Sequence, residues 1–482
     1  MKKINIDVAI IGGGTAGLSA YREAKKNKKH VKLIEGGVFG TTCARVGCMP
    51  SKLLIAAAEN VHSTTKSKEF GINVENVSVD RKAVMDRVKF ERDRFVGFVL
   101  ESIDNMPEKD KILGKAKFKN NNTLIVDDLE IEASTIVIAT GSRPAYPQIW
   151  EELGDKLIIN DDVFEWETLP KSVAVFGAGV IGMELGQALH RLGVNVKLFS
   201  IGGAVGALTD QEIKDYTTKT LNKEFYFDPN AEVLSVNRNN DNVIVEYIDK
   251  ETKEKVVEEF EYLLAATGRR PNVDNLDIEN TTIELDERGI PVANKFTMQT
   301  SVENIFIAGD ASNQLPLLHE AADQGLIAGY NAGIYPQINS GLRRTPISVV
   351  FSDPQIGMVG ETKKELELKY GKCGCYEVGQ VSFENQGRSR VMLKNKGLMN
   401  IYGENGTGLL LGAEFISPDA EHLAHLLSWA IQKKLTVREI LDLPFYHPVI
   451  EEGVRTALRD LSDKLKLGTD IVEDCLNCGL GC

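Results

Sequence analysis

An α/β fold, with two strand–turn–helix units of the same design, is what the sequence predicts. Three observations predict it. The apolar stretch INIDVAII runs into the glycine cluster Gly12-Gly13-Gly14-Thr15-Ala16-Gly17. The pattern returns where SVAVF runs into Gly177-Ala178-Gly179-Val180-Ile181-Gly182. A matching phrase follows each unit, IVIATGSRP after the first and LLAATGRRP after the second. A chain of 482 residues has room for about three domains at roughly 100–200 residues each.

In the first unit, alternating then continuous isoleucine and valine make a buried strand. Helix formers follow from Leu18 to Lys26, and the second apolar strand, VKLIE, ends in Glu35. Strand, G-x-G-x-x-G, helix, strand, acid is the layout of a dinucleotide site. Its glycines let backbone approach a pyrophosphate, the helix start offers free N–H groups, and the acid accepts from a ribose hydroxyl. The second unit repeats this through Arg191 and the strand VNVKLF, but Ser200 stands where Glu35 stands in the first. No arginine follows in SIGGAVGALTD to hold a 2′-phosphate. A nicotinamide dinucleotide fits there, and the residues leave NAD and NADP both open.

Composition excludes several classes. Apolar residues are 43% and charged residues 26%, an ordinary globular balance. A net charge of −13 disfavours nucleic acid and anionic membrane as partners. No apolar run reaches the roughly 18 residues of a membrane span. The start MKKINIDVAIIGGG is basic then apolar, but Asp7 breaks the run and no small-residue cleavage site follows. It reads as a mature strand in a cytoplasmic protein. That setting favours metal or redox roles for closely spaced cysteines over structural disulfides.

The chain has seven cysteines. Cys43 and Cys48 lie in TTCARVGCMPSK, just after the first unit. Zinc would require a second ligand pair, which the sequence does not identify. Pro50 suits the first turn of a helix, which sets Cys48 near a helix N-terminus where positive potential favours a thiolate. Arg45 adds a cation between the two. A metal site, two inert thiols and an exchanging disulfide are all compatible with the pair, and these features favour the last.

The whole series, G-x-G-x-x-G, then C-x4-C-x-P-S-K, then G-x-G-x-x-G-x-E, resembles the class I FAD-dependent pyridine nucleotide–disulfide oxidoreductases. Within that family the PSK ending is most similar to dihydrolipoamide dehydrogenase. The resemblance covers nearly the whole chain. It implies an α/β fold of two dinucleotide-binding, Rossmann-like domains plus an α+β C-terminal dimerisation domain. Residues 1–150 and 273–344 would bind FAD, residues 151–272 would bind NAD or NADP, and residues 345–482 would build a homodimer. Gly12, Gly14, Gly17, Glu35, Thr42, Lys52, Thr140, Gly141 and Asp310 would hold FAD, Asp310 at its ribityl chain. Gly177, Gly179, Gly182 and Gly268 would hold the nicotinamide cofactor. LLHEAADQG would begin a helix aimed at the flavin ring.

The same resemblance makes Cys48 the thiol beside the flavin and Cys43 the one that meets substrate. Lys52 would pair with Glu184 near the reactive flavin nitrogen. His447, in FYHPVIEE, would be the general base and Glu452 its orienter, serving the disulfide of the other subunit. The substrate implied is lipoamide or a lipoyl-protein. An NAD(P)H-dependent reductase of some other protein or small-molecule disulfide is the alternative. A flavoprotein subunit of a larger redox complex is a third reading.

Three departures stand out. Arg45 occupies a position that is usually Asn, and Val449 one where Thr is common. The chain also ends EDCLNCGLGC, with Cys475, Cys478 and Cys482. This tail resembles the C-terminal dithiols of large thioredoxin reductases and mercuric reductases, and a redox shuttle, adventitious thiols and a metal-chelating end are all open for it. Mercuric reductases lack the His at the base position, which argues against that activity. Cys373 and Cys375 read as strand or loop residues.

Overall fold

The first apolar stretch forms the strand Lys2–Ile11, exposed at its start and buried over its last residues. In the computed structural model, which describes residues 1–467 other than 28 and 372, this strand lies between Val31–Glu35 and Leu129–Ile138, parallel to both. Burial on both faces explains why its second half is continuously apolar rather than alternating. Ile305–Ile307 runs parallel on the far side of Leu129–Ile138, Lys111–Leu113 extends the other edge, and the hairpin strands Ala116–Asn120 and Thr123–Val126 complete a seven-stranded sheet.

These strands belong to one of two compact units, made of Met1–Leu53, Asp86–Ala145 and Gly268–Arg343. Its sheet is covered on one face by the helices Thr15–Lys26 and Leu318–Ile334. The two helices cross closely because glycine faces alanine. A Cβ at Gly325 would lie 2.2 Å from the Ala16 carbonyl oxygen, and one at Gly329 2.3 Å from that of Ala20. Val8, Ile10, Leu33 and Phe306 fill the core beneath, and Ile11, Ile34, Phe118 and Ile138 pack on the opposite face.

The second unit contains Leu54–Met85, Tyr146–Thr267 and the chain from Arg344 onward. It has two main sheets. One is parallel and five-stranded, in the order Tyr226–Asp228, Asn195–Phe199, Ser172–Phe176, Tyr262–Ala265, Leu157–Ile158. A three-stranded antiparallel sheet, Glu232–Asn239 to Lys255–Phe260, shares its aromatic core of Phe176, Phe199 and Tyr247. The other main sheet is antiparallel and five-stranded, running from Ile347–Val350 through Gln355–Gly360, Leu410–Ser417 and Leu398–Glu404 to Tyr376–Ser382. Helix Glu452–Lys464 lies on its last strand, where a Cβ at Gly379 would meet the Ala457 carbonyl oxygen at 2.4 Å. The expected mixture of Rossmann-like parallel sheets and a separate α+β C-terminal region is what the chain forms. No helix among the described residues is long and apolar enough to cross a membrane.

A cluster of charges joins three separate stretches of this unit. The buried Arg191 guanidinium, at the end of helix Val180–Arg191, bonds Glu224 (2.5 Å) and Asp353 (3.0 Å). His62 lies 3.9 Å and 3.8 Å from the same carboxylates. Burial, reinforced by Arg191 and Lys66, holds the His62 imidazole down to about 4, and Glu224 and Asp353 offset this only in part. The unfolded chain takes up a proton at its ordinary value of 6.5. Between these two values the unfolded chain binds more protons than the folded one, so this group's contribution to stability falls as pH falls. Thermal melts over that window should therefore decline less steeply for His62→Gln than for the parent, and equal slopes would reject this role for the imidazole.

Candidate active site

Three parallel strands of the first unit end level with one another. Ile11 pairs with Ile138, and Ile138 with Ile307. The turns that follow, at Gly12, at Thr140-Gly141 and at Gly309-Asp310, therefore gather at one edge of the sheet, where α/β folds bind ligands. Gly12 has φ +110, and a Cβ there would lie 2.3 Å from the Ala139 carbonyl oxygen. A Cβ at Gly17 would lie 1.8 Å from the Gly12 carbonyl oxygen. Around Gly14, by contrast, nothing stands within 4 Å. Gly14 caps the helix Thr15–Lys26, which has no side-chain cap and no acid in its first turn. Its first N–H groups are therefore not met by a capping side chain, an arrangement suited to a phosphate.

Glu35 closes one side. Its carboxylate accepts the Gly13 N–H (2.6 Å) and the Gly37 N–H (2.7 Å). Thr140 Oγ1 is buried without a hydrogen-bond partner, an orphan that a bound polar group would satisfy. Asp310 lies in the turn Gly309–Ser312, and its Oδ2 accepts from Ser142 Oγ (2.7 Å), which Arg269 Nε holds in turn (2.8 Å). The helix Leu318–Ile334 follows, beginning within the stretch LLHEAADQG. Glycines, acid and orphan hydroxyl together fit the ADP half and ribityl chain of FAD.

The second unit repeats the turn almost atom for atom. Gly177 has φ +105 and a virtual Cβ 2.3 Å from the Ala266 carbonyl oxygen. A Cβ at Gly182 would be 1.9 Å from the Gly177 carbonyl oxygen, and Gly179 is open. Ser200, at the end of Asn195–Phe199, donates its N–H to the Asp228 carbonyl (2.8 Å). Gly268 directly follows Thr267, whose Cα a Cβ at Gly177 would meet at 3.1 Å, and its carbonyl accepts the Ala145 N–H (2.9 Å) beside the paired strands Ser142–Pro144 and Arg269–Pro271.

Cys43 and Cys48 follow the first cradle. Thr41, at φ 59, caps the short helix Thr42–Val46 that carries Cys43, accepting the Ala44 N–H (3.3 Å). Cys48 is the first residue of the helix Cys48–Lys66, and Pro50 lies in its first turn. Both cysteines are thiols in this structure, Cys43 half-buried and Cys48 exposed. Their side chains hydrogen-bond to each other. That bond, with burial, pushes the Cys43 thiol above its ordinary range, against the opposing pull of the Lys52 ammonium. Lys52 Nζ lies 3.5 Å from Ser51 Oγ, which donates to the Cys48 carbonyl (3.0 Å). Thr42 is exposed beside Cys43.

The other expected groups lie in the second unit. Glu184 is buried in helix Val180–Arg191, and its Oε1 accepts the Phe351 N–H (2.9 Å). His447 Nδ1 lies 3.0 Å and 3.1 Å from the two Glu452 carboxylate oxygens. The His447 bond, and the Val449 N–H at 3.2 Å, hold the Glu452 carboxyl below its ordinary range. With Nδ1 bound to a carboxylate, the exposed ring keeps Nε2 as its free basic atom. Val449 contributes through its backbone, so the absence of Thr at that position leaves the pair intact. Sequence reasoning passed over these supports, namely Thr41, Ser142 and the backbone donors of Phe351 and Val449. The C-terminal cysteines lie outside the described residues.

Residues 6–325 match the family model for pyridine nucleotide-disulphide oxidoreductases, and residues 347–458 match the dimerisation domain of the same family. The chain belongs to that family. FAD and a nicotinamide dinucleotide are accordingly its cofactors. Its curated relatives include a dihydrolipoyl dehydrogenase of Chlamydia pneumoniae, 29% identical over 92% of this chain and 95% of that one. The mitochondrial dihydrolipoyl dehydrogenase of Sus scrofa is 30% identical over 94% and 90%. A mercuric reductase of Shigella flexneri is also 29% identical, over 96% of this chain and 82% of its own. Among solved structures, the HOCl-induced flavoprotein disulfide reductase RclA from Escherichia coli, determined as a Cu(II) complex, shares the fold with a TM-score of 0.78 at 24% identity, covering 96% of this chain and all of that one.

The two cradles can be separated by experiment. Gly17→Ala forces a Cβ against the first turn and should cut flavin retained on purification about tenfold. Gly182→Ala should leave flavin in place and raise the KM for the nicotinamide cofactor by a similar factor. Flavin absorbance of the purified variants and steady-state kinetics check both.

Proposed function

We propose that this oxidoreductase passes electrons between a dithiol substrate of the dihydrolipoamide kind and NAD(P), through Cys43 and Cys48. The observation that carries the reading is the His447–Glu452 pair, an imidazole oriented by a carboxylate with its second nitrogen free. Such a pair moves a proton to and from a thiol near neutral pH. The likeness to dihydrolipoyl dehydrogenases over nearly the full chain supports it.

In this reading His447 of one subunit serves the cysteine pair of the other, and residues 345–482 build the homodimer. With the pair oxidised, His447 Nε2 takes the proton of one substrate thiol. The thiolate attacks Cys43 Sγ, and Cys48 leaves as a thiolate. The second substrate thiol attacks the substrate sulfur bound to Cys43, and Cys43 leaves, taking up that thiol's proton, while His447 keeps the first. Substrate departs as a disulfide, and the two cysteines keep the electron pair. FAD would be held by the first cradle with Asp310 and Lys52, the nicotinamide dinucleotide by Gly177, Gly179 and Gly182, and the two would supply the electron-accepting and hydride chemistry that the cysteines lack. The start of helix Cys48–Lys66 stabilises thiolate at Cys48, and the Phe351 N–H fixes the Glu184 carboxylate.

A second reading, reduction of another disulfide by NAD(P)H, draws on the likeness to a mercuric reductase and on the cysteines of the tail. NAD⁺-dependent oxidation of dihydrolipoamide separates the two, measured on the full chain and on a chain stopped after Asp474. Strong and equal activity supports the dihydrolipoamide reading. Weak activity in both overturns it in favour of another disulfide. Under the first reading, Cys48→Ser should keep its flavin yet lose turnover about 10³-fold or more. Glu452→Gln should lower kcat by about 10- to 100-fold through misoriented His447. Normal turnover by Cys48→Ser would sink the mechanism.

A further inference from the structure

Strand Leu410–Ser417 carries a single charged residue, Glu414, and leaves it 0% exposed. A carboxylate tolerates such burial only where its oxygens are satisfied. Both are, by donors far away in sequence. Oε2 accepts the N–H groups of Thr209 (2.5 Å) and Asp210 (3.0 Å). Oε1 accepts the Thr209 hydroxyl (2.6 Å) and the Lys363 N–H (2.8 Å). The Lys364 N–H donates to Thr209 Oγ1 (3.1 Å), which leaves the hydroxyl hydrogen for Glu414. The neighbouring strand Leu398–Glu404 adds to the grip, because Asn400 Nδ2 and the Tyr402 hydroxyl both donate to Asp210 Oδ2 at 3.0 Å. Tyr402 is fully buried, packed with Leu366, Tyr370 and Cys375, and Cys375 is joined to Cys373 by a disulfide across Gly374.

Thr209 and Asp210 end the loop that leaves the second cradle. Strand Asn195–Phe199 passes into Ser200, the strand-end position at which such folds hold the adenosine ribose. The chain from Ile201 to Leu208 then leads to helix Gln211–Leu221, which Asp210 caps by accepting the Glu212 N–H (3.0 Å). Along this loop the Gly203 N–H donates to the Pro229 carbonyl (2.9 Å), and the Gly206 N–H to the Ala178 carbonyl (2.7 Å). Ala178 stands between Gly177 and Gly179, inside the cradle turn. The loop is thus laid against the cradle at Gly206 and anchored three residues later by Glu414. Glu414 bonds no atom of the cradle turn and reaches it through the loop.

We propose that Glu414 is a positioning residue for the nicotinamide dinucleotide. By fixing Thr209 and Asp210 it holds the loop after Ser200 in the form that the dinucleotide binds. The strand that supplies Glu414 belongs to the stretch matched by the dimerisation-domain model, so that region sets the affinity for the nicotinamide cofactor as well. A glutamine cannot take over the role, because its amide offers one acceptor oxygen where two are used. An NH₂ in place of Oε2 would face two N–H donors, and in place of Oε1 it would face the Lys363 N–H and a hydroxyl already turned toward it. A loop released at Thr209 has to be ordered again by the arriving dinucleotide, which weakens binding. The loss falls on Kd and KM rather than on kcat. The inference concerns the cofactor alone, so it stands whichever disulfide the enzyme uses.

The test titrates full-length holoenzyme by calorimetry with NAD⁺ or NADP⁺, whichever the parent binds more tightly, and reads flavin content from absorbance. Glu414→Gln should keep its flavin and raise Kd about tenfold. In NAD(P)H oxidation by ferricyanide, which needs no disulfide substrate, its KM should rise by a similar factor while kcat stays within about twofold. Thr209→Val, which removes only the hydroxyl, should raise Kd about three- to tenfold, and Thr209→Ser should restore it. Thr217→Val removes a buried hydroxyl bond to the Ile213 carbonyl (2.7 Å) from the same helix without touching the clamp, and should bind like the parent. An unchanged Kd in Thr209→Val, a loss of kcat with no change in Kd, or an equal rise in Thr217→Val would overturn the proposal. Should Glu414→Gln fail to fold, the three threonine variants decide alone.

Discussion

The approach of Gly17 to the Gly12 carbonyl oxygen, where a Cβ would lie at 1.8 Å, sets the geometry on which the first unit rests. It presses the start of helix Thr15–Lys26 onto the end of strand Lys2–Ile11, so the helix opens directly above the sheet edge. The next layer follows the same rule, because Gly325 and Gly329 allow Leu318–Ile334 to settle on Ala16 and Ala20. Small residues thus run outward from sheet to first helix to second helix. The second unit repeats the innermost contact at Gly182 and the Gly177 carbonyl oxygen, at 1.9 Å. In both units the middle glycine, Gly14 or Gly179, meets nothing within 4 Å. Tight on one side and open on the other, each turn presents backbone N–H groups rather than side chains.

Two groups of the proposed mechanism use the same resource, the start of a helix. Cys48 is the first residue of Cys48–Lys66, and Glu452 the first of Glu452–Lys464. Both positions stabilise an anion, a thiolate in one case and a carboxylate in the other. The partners differ in what they do with it. His447 and the Val449 N–H keep Glu452 ionised. Cys43, hydrogen-bonded to Cys48 and half-buried, is held protonated, with Lys52 pulling the other way.

Much of this was legible in residue order. The strand VKLIE is Val31–Glu35, SVAVF is Ser172–Phe176, and the glycine turns lie where their spacing put them. Helix limits were less so. The expected start at Leu18 moves back to Thr15, because burial of a helix face extends it past its strongest formers. Cys373 and Cys375 were read as loop or strand residues and lie in a loop, but their pairing depends on a turn built from two positive-φ glycines, and neither composition nor period signals that.

Local order determined the turns, the strands that feed them, and which residue types sit at helix starts, because those depend on neighbours within one turn of chain. Tertiary structure alone decided the rest. Ser142 reaches Asp310 across 168 positions, and Phe351 holds Glu184 across 167. Asn405 brings the Cys373-Gly374-Cys375 turn against Lys466. No short-range pattern encodes such contacts. They arise when parallel strands end level and sheets stack, which places the supports of a site wherever packing delivers a donor.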